Sequence, residues 1–349
     1  MAWEKTLESY GVMIEDKLKD YFKNLIREAR CYHSFIANLY SSLEEYVLRR
    51  GKRLASCATL LTYKGYTGRI DDDILTACVG IEIYRHSILI HDDIIDMDML
   101  RRGRKTVHQI FAESYDNRFG EGVAIFLGNI AYSLASLALI RSGFPEKKII
   151  KSLSLLSREY QEVNESQVLD LLFEYKNVDV EEWHVMASKR AASLFKIAIL
   201  TGAILGDAPE EDLKKLEEAA VNIGYAFDIQ DDIIDTFADE KEYGKPPCRD
   251  ITLGKKPLHV IYTLNLAEPE DSEILKALLG KREDLKKEDI RLIREIIKRS
   301  GGLEAAKESS RKHAQKAREL IMQTGLNSDV KKFFNSLIRY IEESLDWYR

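Results

Sequence analysis

The chain has 349 residues, 45% hydrophobic and 32% charged, with only six prolines and nineteen glycines. That balance supports a large buried core and excludes both a disordered chain and an all-β protein punctuated by Gly and Pro. A formal net charge of −6 argues against a broad nucleic-acid surface, so no nucleic-acid partner is expected.

The N-terminal stretch MAWEKTLESYGVMIEDKLKD is charged and amphipathic, without the apolar centre of a signal peptide. Residues 4–30 and 32–50 carry apolar positions at three- and four-residue spacing, which predicts two helices. Gly122 to Ile140 carries no formal charge and is long enough to suggest a membrane span. Asn129, Tyr132 and several Ser, Gly and Ala residues dilute it, so it reads as a central helix and not as a transmembrane segment. Further helices are predicted over 146–176, 180–205, 209–238, 303–323 and 328–347. Pro145 and Pro209 stand at helix starts, each followed by acidic residues. The expected fold is all-α, a single domain of about a dozen helices. Two long polar connections, 97–119 and 239–257, interrupt the pattern, and loops of that length are usually functional. Four scattered cysteines, Cys31, Cys57, Cys78 and Cys248, form no Cys-x-x-Cys pair, which points to reduced thiols and a cytoplasmic location.

One short motif recurs. His91-Asp92-Asp93-Ile94-Ile95-Asp96 and Gln230-Asp231-Asp232-Ile233-Ile234-Asp235 each close an apolar helix. Residues four apart share a helix face, so Asp92 projects with Asp96 and Asp231 with Asp235. Paired carboxylates at the end of a buried helix repel each other, and a hard divalent cation removes that cost. Oxygen-only ligands select Mg²⁺, which keeps waters and bridges carboxylates to substrate phosphates. Two such clusters facing each other would hold a diphosphate between metals. Cationic loops follow each cluster: Arg101, Arg102, Arg104 and Lys105 after the first, then Lys245, Arg249, Lys255 and Lys256 after the second. A third basic run, Arg49-Arg50-Gly51-Lys52-Arg53, lies upstream. The His91-Asp92 pair also matches the start of a His-Asp phosphohydrolase site. That class needs further histidine ligands, which the other six histidines do not supply, and it leaves the duplicated motif unexplained.

With these residues the chain resembles the trans-isoprenyl diphosphate synthases, or polyprenyl synthetases, over roughly residues 40–265. IHDDIIDMDMLRRG looks like the family's first Asp-rich motif. FDIQDDIID with GKPPCRD and LGKKPL looks like the second, with its two lysine loops. RRGKRLA is similar to the Gly-Gly-Lys-Arg-x-Arg-Pro element, and SQVLDL, with Gln167 and Asp170, to the Gly-Gln-x-x-Asp-Leu segment. The resemblance implies a large helical bundle around a deep central pocket, a homodimer or alternatively a heteromer, and two or three Mg²⁺ ions. It implies that an allylic prenyl diphosphate ionises, isopentenyl diphosphate captures the cation, and the released pyrophosphate takes the proton. By the same resemblance Asp92, Asp96, Asp231 and Asp235 hold metal, and Asp93 and Asp232 complete the catalytic set. Arg101, Lys245 and Lys255 would hold the allylic diphosphate, and Lys52 and Arg102 isopentenyl diphosphate. Arg53, Arg85, Gln167, Lys189 and Arg190 are the further substrate contacts.

The chain departs from the family pattern at several positions. The last Arg and Pro of the basic element are Ala55 and Ser56, and Arg85 stands where the family has His or Gln. A Lys-Thr pair is replaced by Arg190-Ala191, with Lys189 adjacent. Phe-Gln before the second motif is Phe227-Asp228, and an Asp of the central helix is Asn129. The isopentenyl side therefore loses a cation at Ala55 and gains one at Arg85. Residues before Asp92 are expected to set product length: Ser87 and Ile88 leave room, and Tyr84, one turn deeper, forms a floor. That implies a medium-chain product of about C20 to C25, as made by geranylgeranyl and geranylfarnesyl diphosphate synthases. The alternatives kept open are a helper subunit of a heteromeric synthase and a prenyl diphosphate cyclase.

Overall fold

A computed structural model describes residues 2–49, 51–238, 247–281 and 285–344. The described residues form sixteen α-helices and one two-stranded hairpin, so the all-α expectation holds. In chain order the first are α1 (Ala2–Arg30), α2 (Ser34–Leu48), α3 (Leu54–Thr67), α4 (Asp72–Ile95), β1 (Leu100–Arg101), β2 (Arg104–Lys105), α5 (Val107–Ala112) and α6 (Asn117–Ile140). Then come α7 (Glu146–Phe173), α8 (Val180–Ala187), α9 (Ala191–Leu205) and α10 (Glu210–Phe237). After them run α11 (Arg249–Leu253), α12 (Leu258–Leu266), α13 (Pro269–Leu278), α14 (Lys287–Arg299), α15 (Gly302–Met322) and α16 (Ser328–Ser344).

The chain divides into two compact units. One comprises Met1–Leu156, Ile197–Leu213 and Gly325–Phe333, the other Ser157–Lys196, Lys214–Thr324 and Phe334–Arg349. In the first, α4 is the central helix. Its N-cap Asp71 accepts a hydrogen bond from the Ile74 amide at 3.0 Å, and Asp72 and Asp73 complement the helix dipole. Its buried residues, from Ile74 to Ile90, lie on every side, as a helix packed all round requires. The helix α6 is long and apolar enough to cross a membrane by composition, and 44% of its most apolar stretch is buried. It packs along α4 and α5 through Ala124, Leu127, Gly128, Ala131 and Ala135, in the place expected of a central helix. In the second unit, Trp183, Ile229, Ile233, Phe237, Leu258, Ile293 and Ile297 form the core.

Two expectations change. The helix predicted over 180–205 is broken between α8 and α9, where Lys189 and Arg190 donate their amides to Met186 and Ala187 in tight turn bonds. Apolar periodicity runs through the break, but the tertiary ion pairs of Arg190 described below require the turn. The connection 97–119 is ordered as a hairpin, as α5 and as the first turn of α6. Its tip, Arg102-Gly103, has φ of 54° and 74°, the left-handed pair of a two-residue hairpin turn, and Gly serves the second position without strain. Of the connection 239–257, residues 239–246, including Gly244 and Lys245, lie outside the described residues.

Gly80 marks the closest approach of α4 to α6: a Cβ there would stand 2.8 Å from the Ala135 carbonyl oxygen. Gly80→Ala is therefore expected to cost about 1–3 kcal/mol through overpacking. Urea or thermal unfolding reads this directly, and an unchanged midpoint would contradict the packing described.

Candidate active site

The first Asp motif ends α4, where the Asp96 amide bonds the Asp92 carbonyl at 2.9 Å. Asp92 and Asp96 lie half-buried on one face, as their spacing predicts. Asp93 points the other way and is fully buried. It accepts the Tyr46 hydroxyl at 2.6 Å and the Arg101 Nε, while Arg101 Nη2 donates to Asp92 at 2.9 Å. Burial raises the Asp93 carboxyl, with Arg101 opposing. Arg101 belongs to β1, so the hairpin brings its guanidinium back onto the carboxylates eight and nine residues earlier. The His91 ring turns instead to α6. Its Nε2 lies 3.1 Å from the Ile125 carbonyl oxygen, and only a glycine at 128 leaves room for it. That geometry removes His91 from any His-Asp metal pair.

Around the same helix the basic residues divide into structural and available groups. Arg53 is buried and tied to Glu15 at 3.1 Å, to Glu82 at 3.2 Å and to the Val47 carbonyl at 2.6 Å. Glu82, itself fully buried, also accepts the Ser56 hydroxyl at 2.6 Å. Burial opposes its ionisation, but the His86 ring, Arg85 and Arg53 hold it at about 2. Lys52 is exposed, with Glu4 at 3.1 Å. Arg102 lays its guanidinium against Gly51, where a Cβ would come within 2.8 Å, and donates to the Arg49 carbonyl at 3.2 Å. This explains the glycine beside Lys52. Burial and the neighbouring Arg85 push Arg102 down to about 10. Arg85 is half-buried, makes no hydrogen bond or ion pair among the described residues, and has its own pKa lowered by burial, with Arg101 adding to the effect. Arg53, Arg85 and Arg102 thus crowd positive charge near the buried Glu82, an arrangement that an anion relieves.

On α4, Tyr84 is buried and packs its ring 6.4 Å from that of Tyr132 on α6. Ser87 is also buried, with its hydroxyl turned back to the Tyr84 carbonyl at 2.7 Å, and Ile88 is half-buried. A cleft of about 410 Å³ opens elsewhere in this unit, lined by Ser41, Glu45, Arg49, Arg104 and Ile110 among others. It contains none of the motif aspartates, but Arg104 and Lys105 of the first cationic loop line it.

The second motif lies in the last turns of α10. Asp232 and Asp235 are buried and Asp231 is exposed. The break between α8 and α9 aims Arg190 at Asp170 (3.5 Å), Asp228 (3.2 Å) and Asp232 (3.3 Å). Lys189 pairs with Glu165 on α7, so Arg190 and not its neighbour faces the motif. Lys255 lies 3.1 Å from Asp170 and 3.8 Å from Asp250, whose amide donates to Asp235 at 3.2 Å. Gln167 is half-buried, one turn before Asp170 on α7. Lys256 is structural: it donates to the carbonyls of Phe173, Glu174 and Gly254. Burial raises Asp228 to about 6 against the pull of Arg190, and raises Asp232 and Asp235 well above their ordinary range.

Carboxylates that burial drives toward protonation, beside others that stay exposed, form an oxygen-only donor set suited to a hard cation. Asp92 and Asp96 would hold Mg²⁺ at the first motif, and Asp231 and Asp235 at the second. No three such side chains converge tightly enough to cage a metal among the described residues. Sequence reasoning did not assign site roles to Tyr46, Asp170, Asp228 and Asp250. Only Asp170 and Asp228 had a signal, in the segments aligned with the family.

An all-α chain with two carboxylate clusters, each neutralised by an arginine, has the make-up of a helical metal–diphosphate enzyme. Residues 36–297 match the sequence profile of the polyprenyl synthetase family. A short chain isoprenyl diphosphate synthase of Methanocaldococcus jannaschii is 33% identical over 290 residues, 83% of this chain and 85% of the relative. A geranylgeranyl diphosphate synthase of Saccharolobus solfataricus is 32% identical over 314 residues, 88% and 92% of the two chains. The crystal structure of a geranylgeranyl pyrophosphate synthetase from Pyrococcus horikoshii superposes with a TM-score of 0.84 at 29% identity, covering 98% of each chain. The chain belongs to the polyprenyl synthetase family, whose members use Mg²⁺.

Beside this site, burial pushes the His86 ring down to about 3, with Glu82 opposing and Arg85 assisting. The unfolded ring takes up a proton near 6.5, so the folded state binds fewer protons between 6.5 and 3. The stability that this ring contributes is full above pH 6.5 and is lost as pH falls toward 3. His86→Gln should flatten the decline of the urea midpoint between pH 6.5 and 4. An equally steep decline in the variant would refute that assignment.

Proposed function

We propose that the chain is a Mg²⁺-dependent trans-prenyltransferase. It condenses isopentenyl diphosphate with an allylic prenyl diphosphate to give a longer polyprenyl diphosphate of about C20–C25. The observation that carries this reading is the duplicated Asp motif, each copy with a buried carboxylate held by an arginine, in a chain of this family. Bound Mg²⁺, two or three ions, would supply Lewis-acid stabilisation to the departing pyrophosphate. Asp92 and Asp96 on α4 and Asp231 and Asp235 on α10 are the proposed ligands. Asp93 holds Arg101 in place, and Asp232 pairs with Arg190. Arg101, Lys255 and Lys245 are assigned to the allylic diphosphate, and Lys245 lies outside the described residues. No side-chain nucleophile is required, since the double bond of isopentenyl diphosphate captures the cation.

The isopentenyl diphosphate is assigned to Lys52, Arg85 and Arg102, with Gln167 a further contact on the allylic side. Arg53, counted with them from the sequence, supports this site from beneath through Glu82. Arg85 replaces the guanidinium lost at Ala55: it is half-buried, without a hydrogen bond or ion pair among the described residues, and beside Arg102. The growing chain is proposed to run down α4 from Asp92 past Ile88 and Ser87 to Tyr84, where the Tyr84–Tyr132 pair closes it. Exposed Ile125, Phe126, Leu137 and Ile140 form an apolar stripe on α6 that a second copy of the chain would cover, as a homodimer requires. The unit boundaries at residues 156, 196, 213 and 333 fall inside helices, which supports one domain. Four free cysteines, three of them buried, support a cytoplasmic location.

Purified protein incubated with Mg²⁺, labelled isopentenyl diphosphate and farnesyl diphosphate should yield an elongated diphosphate, and Ser87→Phe should shorten it. A hydrocarbon or alcohol would instead establish a cyclase, and no product a helper subunit. An unchanged length in Ser87→Phe would remove the proposed floor. Arg85→Ala should raise KM for isopentenyl diphosphate about tenfold or more and leave that for the allylic substrate nearly unchanged. Equal effects on the two substrates would refute the compensation.

A further inference from the structure

Arg190 spreads its guanidinium over three carboxylates from two helices, Asp170 on α7 and Asp228 and Asp232 on α10, at 3.2 to 3.5 Å. A guanidinium bound for its own sake sits bidentate on one carboxylate at about 2.7–2.9 Å. Here every contact is longer, and all three nitrogens are committed, so the arrangement is that of a charge placed centrally among anions. Asp228 is buried beside the Ala191 amide, and while Arg190 engages its Oδ1, its enclosed Oδ2 meets no hydrogen-bond geometry with any described residue. A buried carboxylate oxygen seldom lacks a partner. It is, however, the kind of donor that a hard cation uses. Asp228, Asp232 and Asp235 stand at i, i+4 and i+7 on α10 and so share one face. The approach of α9 to α10 at Gly224, where a Cβ would come within 2.3 Å of the Ala192 backbone, sets Asp228 beside the start of α9 and therefore beside Arg190. Two departures from the family pattern, Arg190 and Asp228, thus meet as an ion pair within this cluster.

We propose that Arg190 is a displaceable stand-in for a divalent cation at the second Asp cluster, and that Asp228 becomes a further metal ligand when Arg190 withdraws. The proposal rests on the reading of that cluster as a metal site. In the metal-free protein the guanidinium relieves the repulsion among Asp170, Asp228 and Asp232. A divalent cation brings twice the charge to the same oxygens and competes with it. Arg190 then acts as a positioning residue that keeps the carboxylates gathered, and its release would turn its donors outward.

The test measures Mn²⁺ binding by electron paramagnetic resonance and by the metal-induced shift in melting temperature, without diphosphate. The full chain carries Asp92→Asn and Asp96→Asn, so that only the second cluster reports. Arg190→Gln should lower the melting temperature of the metal-free protein yet bind Mn²⁺ about fivefold or more tightly, because its competitor is gone. Asp228→Asn should bind roughly tenfold more weakly. Arg190→Lys, whose single ammonium cannot reach three carboxylates, should fall between wild type and Arg190→Gln and serves if the latter does not fold. Arg190→Gln, or Arg190→Lys in its place, binding no more tightly than the parent overturns the stand-in role, and unaltered binding by Asp228→Asn overturns the added ligand. A parent chain that binds no Mn²⁺ overturns the metal-site reading as well, which separates the two failures.

Discussion

Burying a carboxylate without a counter-charge costs several kcal/mol, and this protein buries carboxylates repeatedly. Asp93, Asp170, Asp228, Asp232, Asp235 and Glu82 are all nearly inaccessible to solvent. Five of them meet a charged or hydroxyl partner that the fold brings back to them: Arg101 and Tyr46 for Asp93, Arg53 and Ser56 for Glu82, Arg190 for Asp228 and Asp232, and Lys255 for Asp170, while Asp235 accepts the Asp250 amide. The local architecture follows from that constraint. The hairpin after α4 exists in a form that returns Arg101 to the motif. The turn between α8 and α9 exists in a form that aims Arg190. Removing one partner would leave an isolated buried charge, so these elements are coupled to the motifs more tightly than their small size suggests.

The division between buried and exposed aspartates within each motif has a functional consequence. In the first, Asp92 and Asp96 remain on the accessible face while Asp93 is turned inward as an anchor. A helix C-terminus is a poor place for negative charge because the macrodipole already concentrates it there. The anchor and its arginine hold the end of the helix in a conformation that the outward pair, left alone, would disfavour. In the second motif the burial is deeper, and the carboxylates retain protons more readily. A cation with strong preference for oxygen resolves the charge in both, and the family's use of Mg²⁺ follows from the donor set.

The departures from the family pattern are not scattered. Ser56 and Arg85 both bear on the buried Glu82. Ser56 supplies a hydroxyl to the carboxylate, and Arg85 adds a positive charge near it. Arg190 and Asp228 form a second group. In the second group one change is matched by the other across the fold, because a buried charge must be matched wherever its partner resides.

The helical class, the two Asp motifs and the residues sharing their faces were legible in the sequence, since 3.6-residue periodicity and i, i+4 spacing are local properties. So was the family, through motifs whose order along the chain survives. Local pattern did not reveal which aspartate of each motif turns inward, since neighbours at adjacent positions differ only in what packs against them. It did not separate Arg190 from Lys189, or mark Arg53 and Lys256 as structural. It also missed Tyr46 and Asp250, whose partners lie 47 and 15 residues away. Those assignments depend on which distant side chain meets each charge. Long-range pairing decides that, and only the tertiary structure contains it.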